Sequence, residues 1–315
     1  MDTMERLLAR WELPVIPDDI PHGDMPGDKV CIDETHIQKA AVVFDAIRPM
    51  IAQAARANAG GRCVVSVCGG SGVGKSETAS LLAYFLRELG VGAYVLSGDN
   101  YPHRIPMDND AERMRVYRCG GLRGLLASGG AQEADRCVLQ ALWESERDAD
   151  PAVCTEYPWM EAYQRAGRAC LSQYLGSEQE IGFAEVGGIV ERFKQGAPWL
   201  YLKRMGRQRG ELWYDRVDMT GVQVLIIEWT HGNSDCFQGV DIPVLLNSTP
   251  SETLAHRRAR NRDGRPDAPF ITMVLALEQR MLQMQAHKAR VILSKSGELL
   301  DYAQYRRLMA EEEGL

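Results

Sequence analysis

Apolar residues follow two different spacings along the first hundred residues of the chain. Residues 35–57 carry them at helical spacing, and the Asn-Ala-Gly-Gly sequence at 58–61 supplies a stop signal. Residues 63–68 and 93–96 are instead short apolar runs, which are typical of buried strands. A helical pattern at 75–89 separates the two runs. Two strands that flank one helix favour a βαβ unit and a parallel sheet.

The pattern is weaker at the amino terminus and in the middle of the chain. Prolines interrupt residues 1–30, which predicts an irregular leader. Residues 105–210 show helical patterns between polar stretches, and we interpret them as a mostly helical insertion on the acceptor-substrate side. The predicted helices of this insertion span 111–117, 134–143, 157–174 and 178–195.

Strand patterns return in the last third of the chain. Thr249, Pro250 and Glu252 form a capping-box signature, which predicts a helix through Arg262. The apolar runs predict strands at 212–217, 222–229, 242–246 and 289–293, and helical patterns predict helices at 270–285 and 299–309.

Together these elements predict an α/β fold with a doubly wound, mostly parallel sheet and a helical insertion. We expect residues 1–60 to form an N-terminal leader and helix. Residues 61–315 are expected to form the main domain, with the insertion at 105–210.

Composition narrows the function classes. The net charge is −7, with 45% hydrophobic and 25% charged residues, which is ordinary for a globular protein. An acidic chain disfavours a nucleic-acid partner, because binding by phosphate neutralisation needs a basic face. The eight cysteines include no C-x-x-C pair, and neither a signal peptide nor a membrane-spanning run is recognisable. We therefore expect a cytoplasmic protein with free thiols and no membrane partner.

The strongest motif follows the first predicted strand. Residues 69–76 read Gly-Gly-Ser-Gly-Val-Gly-Lys-Ser and match G-x-x-x-x-G-K-[ST] without a mismatch. Such a loop turns successive N–H groups toward phosphate oxygens, Lys75 reaches the β- and γ-phosphates, and Ser76 offers its hydroxyl to Mg²⁺. The sequence thus predicts a P-loop protein that uses ATP and Mg²⁺. The predicted nucleotide contacts are Gly70, Ser71, Gly72, Val73, Gly74, Lys75 and Ser76.

A P-loop alone does not separate kinases from GTPases, motors and other machines. The chain contains no N-K-x-D guanine signature, which disfavours a GTPase, and its acidic charge disfavours a helicase. In an open parallel sheet the strand carboxyl ends line the ligand crevice, so Asp99 and Glu228 should both face the γ-phosphate. Asp99 could accept or orient the acceptor's proton, and Glu228 could bind Mg²⁺ directly or through water.

Four features in order resemble the phosphoribulokinase and uridine kinase family, which includes bacterial pantothenate kinases. The first is the P-loop, and the second is the Ser-Gly-Asp-Asn-Tyr-Pro-His-Arg sequence at 97–104. The third is Ile-Ile-Glu at 226–228. The fourth is Asp-Ile-Pro-Val at 241–244 with the arginine-rich helix that follows. These features cover 62–104 and 222–265, under a third of the chain.

The resemblance implies roles for particular residues. Asp99 occupies the position of the carboxylate that activates the acceptor hydroxyl. The arginine-rich segment resembles the family's lid, in which we assign Arg262 to catalysis and Arg258 to the nucleotide, although the choice among its arginines stays open. Its arginines are Arg257, Arg258, Arg260, Arg262 and Arg265.

Acceptor contacts are predicted from the loops that follow the two carboxylates. Tyr101, His103 and Arg104 follow Asp99, and the last two suit an anionic or polyhydroxylated acceptor. Glu228 and His231 are further candidates, although a loop histidine is as often structural. The chain departs from the family pattern in having Trp229 where glycine is usual, and Tyr101 where phenylalanine is common.

We therefore predict an ATP-dependent kinase that transfers the γ-phosphoryl group to a hydroxyl of a small metabolite. Expected acceptors, in falling order, are a sugar or polyol, a nucleoside and a pantothenate-like acid. Two alternatives remain: a P-loop ATP hydrolase that drives a protein partner, and a nucleotide-binding regulator without catalysis. A homodimer is compatible with the sequence.

Overall fold

A computed structural model describes residues 3–27, 30–129, 133–206, 208–249, 252–255 and 268–313. The chain divides into two compact units. The first contains Met1–Tyr101, Gly182–Thr249 and Leu282–Leu315, and the second contains Pro102–Ile181 and Pro250–Met281. Within the described ranges, no helix is long and apolar enough to cross a membrane.

The helices and strands are numbered in chain order. The described helices are α1 (Thr3–Leu8), α2 (Glu34–Ala57), α3 (Lys75–Glu88), α4 (Pro106–Ala127), α5 (Glu133–Glu144), α6 (Val153–Glu156), α7 (Met160–Tyr174), α8 (Phe183–Lys194), α9 (Pro269–Gln285) and α10 (Tyr302–Glu313). The strands are β1 (Cys63–Gly69), β2 (Ala93–Ser97), β3 (Trp199–Met205), β4 (Leu212–Asp218), β5 (Val224–Glu228), β6 (Ile242–Leu246), β7 (Val291–Leu293) and β8 (Leu299–Leu300). Short 3₁₀ turns span Gly98–Asn100 and Ala286–Lys288.

The first unit is built on a six-stranded sheet with the order β2-β5-β1-β6-β7-β8. The first five strands pair in parallel, and β8 is antiparallel to β7. Val65 and Val67 face a core formed with α2 and α3, whereas Cys68 faces a second cluster that includes Tyr305 of α10. Helices therefore cover both faces, and the predicted doubly wound, mostly parallel sheet is confirmed.

The strand register sets the position of the candidate site. Ser97 of β2 lies beside Glu228 of β5, and Glu228 lies beside Val67 of β1. The carboxyl ends of these three strands are therefore level with one another. In a parallel sheet this edge is where ligands bind.

The leader and the helix that follows it belong to the first unit, together with the six-stranded sheet. Met4 and Leu8 of α1 are each 4% exposed and join the core beneath α2 and α3. The Trp11 ring lies 4.4 Å from the Phe44 ring and 4.8 Å from the Phe85 ring, measured between centroids. Apolar burial thus holds the leader against the sheet domain.

The predicted 105–210 insertion differs from the observed second unit at its carboxyl end. Residues 183–205 form α8 and β3 of the first unit. Strand β3 pairs antiparallel with β4 in a two-stranded sheet whose aromatic side chains are largely exposed. The strand predicted at 212–217 is present as β4. Strand β4 pairs with β3 in this two-stranded sheet, and its residues are exposed or half-buried.

In the core of the second unit, tyrosine rings of one helix pack directly against glycines of another. A Cβ on Gly121 of α4 would lie 2.6 Å from the Tyr163 ring of α7, and a Cβ on Gly167 of α7 would lie 2.7 Å from the Tyr117 ring of α4. The two tyrosine rings meet edge to face at 5.7 Å. Helix α4 spans Pro106–Ala127 and is much longer than the predicted 111–117. The prediction was too short because glycines such as Gly121 interrupt the apolar spacing that indicates a helix, although they permit close packing.

Candidate active site

The loop between β1 and α3 has the backbone shape that its glycines suggest. Gly72 and Gly74 have φ angles of 78° and 93°, in the left-handed region that glycine adopts without strain. Gly74 is the N-cap of α3, and no side chain caps that helix end by hydrogen bonding. The first N–H groups of α3 therefore face the loop, at the positive end of the helix dipole. Such a helix end is suited to bind phosphate.

Ser76, Glu228 and Ser97 form a chain of short hydrogen bonds across three elements. The Ser76 hydroxyl donates to Glu228 Oε2 at 2.9 Å, and the Ser97 hydroxyl donates to Glu228 Oε1 at 2.6 Å. Lys75 Nζ donates to the Gly70 carbonyl at 3.0 Å, so the lysine lies folded over its own loop. The geometry brings the predicted P-loop residues and Glu228 together, and it adds Ser97, which the sequence reasoning had not singled out.

Burial, and after it the negative charge of nearby Asp99, raises the pKa of Glu228 from its ordinary value of 4.5 to about 7. The hydrogen bonds from Ser97 and Ser76 and the positive charge of Lys75 oppose this shift. Asp99 and Glu228 are therefore close enough to interact electrostatically. A buried carboxylate beside a second acid marks a site that can take a cation or a proton.

Asp99 lies on the 3₁₀ turn that follows β2, and its side chain is exposed. The glycine before it has a packing role, because a Cβ on Gly98 would lie 2.0 Å from Trp229 Cγ. Trp229 is 1% exposed and packs against Phe183 and Phe237. Trp229 therefore replaces the glycine usual in the resembled family by filling the space that Gly98 leaves open.

The structure distributes the predicted acceptor contacts over both units. In the first unit the Tyr101 side chain is fully buried, so it could contact a substrate only after a rearrangement. In the second unit a His103 ring nitrogen lies 2.9 Å from the Glu178 carbonyl oxygen, and Arg104 donates to the Tyr174 hydroxyl at 3.0 Å. Their contacts with an acceptor stay predictions.

His231 lies in the loop after β5, as expected, but it is 5% exposed. Its ring meets the Trp229 ring edge to face at 5.6 Å and the Phe183 ring at 6.3 Å. This position fits the structural role left open for a loop histidine better than a substrate contact. The predicted lid arginines, Arg258 and Arg262 among them, lie outside the described residues.

Asp24 is a second residue near this site, besides Ser97, that sequence reasoning missed. Its carboxylate accepts a hydrogen bond from the Ser97 backbone N–H at 2.7 Å. No local pattern could indicate this contact, because Asp24 stands in the proline-rich leader and its partners lie 70 or more residues away. A Gly-Asp pair between prolines is more simply interpreted as a turn.

Known proteins that are similar to this chain include one bifunctional enzyme and several solved structures. No family model matches the chain. The chain is 36% identical over 244 residues to the bifunctional α-galactosidase/sucrose kinase AgaSK of Mediterraneibacter gnavus, a match that covers 78% of this chain and 21% of that enzyme. One of the two activities in that enzyme's name, sucrose kinase, belongs to the class of small-molecule kinases that the motifs of this chain resemble. This chain spans about a fifth of its relative's length.

Two solved structures are similar at lower levels. A candidate fructose transport system kinase from Silicibacter sp. TM1040 is 15% identical, with 80% of this chain and 96% of that chain covered and a TM-score of 0.46. A D-glycerate 3-kinase from Cryptococcus neoformans is 12% identical, with 86% and 99% covered and a TM-score of 0.38. Because both scores are below 0.5, the fold assignment rests on the strand order described above.

Proposed function

We propose that this chain is an ATP-dependent kinase that transfers the γ-phosphoryl group to a hydroxyl of a small metabolite, with a sugar as the first candidate. The observation that supports this most is the meeting of the P-loop residue Ser76 with Glu228, beside the turn that carries Asp99. These groups gather at the carboxyl edge of a parallel sheet. Phosphoryl transfer needs little covalent chemistry from the protein, and this edge supplies positioning and charge.

The P-loop binds the ATP phosphates in this proposal. Backbone N–H groups of the loop and of the first turn of α3 donate to phosphate oxygens, and Lys75 moves from the Gly70 carbonyl to the β- and γ-phosphates. Lysine can make this move because its flexible stem carries a compact charge.

Ser76 and Glu228 fit a Mg²⁺ ion. Their oxygens lie 2.9 Å apart, and a hydroxyl with one carboxylate is a usual protein contribution to a Mg²⁺ site, which takes its other ligands from phosphates and water. Among the residues that the structure describes, no cluster of three or more His, Cys, Asp or Glu side chains could hold a metal ion by itself. Bound there, Mg²⁺ would offset the charge of the phosphates.

Asp99 would accept the proton of the acceptor hydroxyl as the hydroxyl oxygen attacks the γ-phosphorus, while the bond from that phosphorus to the β–γ bridging oxygen breaks and ADP leaves. Its exposed position at the strand end leaves it accessible to an acceptor, whereas Glu228 is buried. The two carboxylates therefore have separable roles, Glu228 toward the cation and Asp99 toward the acceptor.

The relative named as a sucrose kinase supports a sugar acceptor, so sucrose and its component monosaccharides come first. A nucleoside and a pantothenate-like acid remain behind them. ATP is an intracellular nucleotide, and the eight free thiols suit a reducing compartment, so we place the reaction in the cytoplasm.

The test measures ATP consumption and new phosphorylated masses with sucrose, fructose, glucose, uridine, glycerate and pantothenate. Wild type is compared with Asp99→Asn, which keeps the side-chain shape but cannot accept the proton. We expect a new mass with wild type and a loss of about a hundredfold or more in kcat for the variant. The control is Asp45→Asn, which removes the same charge on the outer surface of α2, where the exposed Asp45 carboxylate pairs with Arg48 at 3.2 Å.

Two outcomes would contradict the proposal. ATP consumption without any new mass, unchanged in Asp99→Asn, would favour the hydrolase that drives a partner. Transfer that Asp99→Asn and Asp45→Asn reduce equally would show a kinase in which Asp99 is not the base.

A further inference from the structure

The leader contributes residues to the carboxyl edge of the sheet. A Cβ on Gly23 would lie 3.3 Å from Val95 Cγ1 and 3.8 Å from Glu228 Oε1. The backbone at residue 23 thus packs against both β2 and the buried carboxylate of the candidate site. A segment about fifty residues before the P-loop borders the site directly.

The next residue, Asp24, is held by four hydrogen bonds. Its Oδ1 accepts from the Ser97 N–H at 2.7 Å and from Asn100 Nδ2 at 3.3 Å. Its Oδ2 accepts from the Tyr94 hydroxyl at 3.0 Å and from Arg204 Nη1 at 2.9 Å. Only 9% of the Asp24 side chain is exposed, so these contacts are shielded from water. A carboxylate with four donors has no spare acceptor capacity and is rigidly fixed.

These donors bracket Asp99 in the sequence. Ser97 lies two residues before it, and Asn100 follows it directly. Asn100 is fastened a second time, because its Oδ1 accepts from the Met205 N–H at 3.0 Å. The exposed carboxylate of Asp99 therefore stands on a turn whose two ends are both fixed by buried polar contacts.

Removing the Asp24 carboxylate from water costs free energy. Burial raises the pKa of Asp24 although the charge of Arg204 lowers it, so water loss outweighs the ion pair. A buried ion pair is weak support for stability, and an apolar pair of similar volume would often serve as well. Because the bonds of Asp24 to Ser97 and Asn100 lie on both sides of Asp99, their geometry indicates that Asp24 orients this turn.

We infer that Asp24 is a positioning residue that fixes the Ser97–Asn100 turn and thereby the direction of Asp99 toward the acceptor. This inference rests on the proposed kinase function. It assigns part of the leader to the active site, where neither the P-loop motif nor the strand-end residues would place it.

The test is a double-mutant cycle on the full chain, with sucrose or whichever acceptor wild type phosphorylates. Asp24→Asn should lower kcat for phosphoryl transfer about tenfold to a hundredfold, because small misplacements of a catalytic group have effects of this size. The KM for ATP should change less than twofold, because the P-loop is not altered. In the Asp99→Asn background, Asp24→Asn should have no further effect, since it acts through Asp99.

Asp241→Asn provides a matched structural control. Asp241 is also a shielded carboxylate that accepts a strand N–H, from Val64 at 2.8 Å, and it pairs with Lys194. It lies before β6, at the amino end of the strands. Loss of stability alone should affect both variants alike, whereas the positioning role predicts lower kcat for Asp24→Asn only.

Three outcomes would overturn the inference. An unchanged kcat in Asp24→Asn, with wild type active, would refute the role of Asp24 and leave the proposed kinase function standing. Multiplicative losses in the double variant would show a general structural effect. Absence of transfer by wild type would remove the kinase function and the inference together. If Asp24→Asn does not fold, Tyr94→Phe removes one of the four donors and should still lower kcat, by a smaller factor, only when Asp99 is present.

Discussion

Glu228 links the site to the stability of the ligand-free protein. Its pKa is raised to about 7 from 4.5 when the chain folds. Between these values the folded state holds a proton that the unfolded state has lost. The contribution of the protonated Glu228 carboxyl to the free energy of unfolding is therefore fully present below pH 4.5 and is lost as the pH rises through 7.

We expect Glu228→Gln to remove this pH dependence. The free energy of unfolding of wild type should fall, relative to the variant, by about 3 kcal/mol between pH 4.5 and 8, as an upper estimate from the shift in pKa. Urea denaturation in the presence of a chelator, at several pH values, measures this difference. Parallel pH profiles for wild type and variant would contradict the pKa assignment.

At the same scale, the sequence predicted the site residues whose position follows from a motif or a strand end. Ser76 and Glu228 meet because β1 and β5 are neighbours in a parallel sheet. Asp24 could not be predicted, because its role depends on where a proline-rich leader crosses the folded sheet. Nor could the burial of Tyr101 and His231 be predicted, because each follows a strand end where exposed residues are common.

Among the elements, α4 and α7 depend on glycine for their contact. Gly121→Ala would place a methyl group 2.6 Å from the Tyr163 ring. That ring has little freedom to move, because its hydroxyl donates to Asp148 and accepts from Trp143 Nε1. We expect a loss of about 1–3 kcal/mol in the free energy of unfolding, as for other overpacked cores.

The control for this variant lies in α8. A Cβ on Gly187 would meet nothing within 4 Å, so Gly187→Ala should gain about 0.5–1 kcal/mol through helix propensity. Thermal or denaturant unfolding of the two variants should therefore move in opposite directions. Equal shifts would show that close packing against Tyr163 does not control the effect.

Helices and strands were predicted correctly where a helix has one apolar face or a strand has apolar residues on both faces. The patterns at 35–57, 63–68 and 75–89 correspond to α2, β1 and α3 within one or two residues at each end. The closing helix predicted at 299–309 begins later, at Tyr302, because Leu299 and Leu300 pair with β7 as β8. Two residues are too few to show a strand period.

For the molecule as a whole, the leader and the sheet domain form one compact unit. The Trp11 ring of the leader packs against Phe44 of α2 and Phe85 of α3. We expect Trp11→Ala to lower the free energy of unfolding by about 1–3 kcal/mol, somewhat less than for a fully buried tryptophan. Trp213→Ala is the control, because that ring is 42% exposed on the β3–β4 hairpin and should change stability by no more than about 0.5 kcal/mol.

Denaturant unfolding followed by far-UV circular dichroism compares these variants without relying on tryptophan emission. Similar midpoints for Trp11→Ala and wild type would show that the leader adds little to the stability of the sheet domain. A chain shortened to begin near residue 13 should then fold as stably as wild type, provided that Asp24 is retained.

Strand β2 forms one edge of the six-stranded sheet. An edge strand offers backbone groups to any other extended chain, and such pairing leads to aggregation or exchange of strands between molecules. The Ser97 N–H, at the last position of this edge, is already bound to the Asp24 carboxylate. The contact that fixes the turn of Asp99 therefore also closes the end of this edge to pairing with a neighbouring molecule.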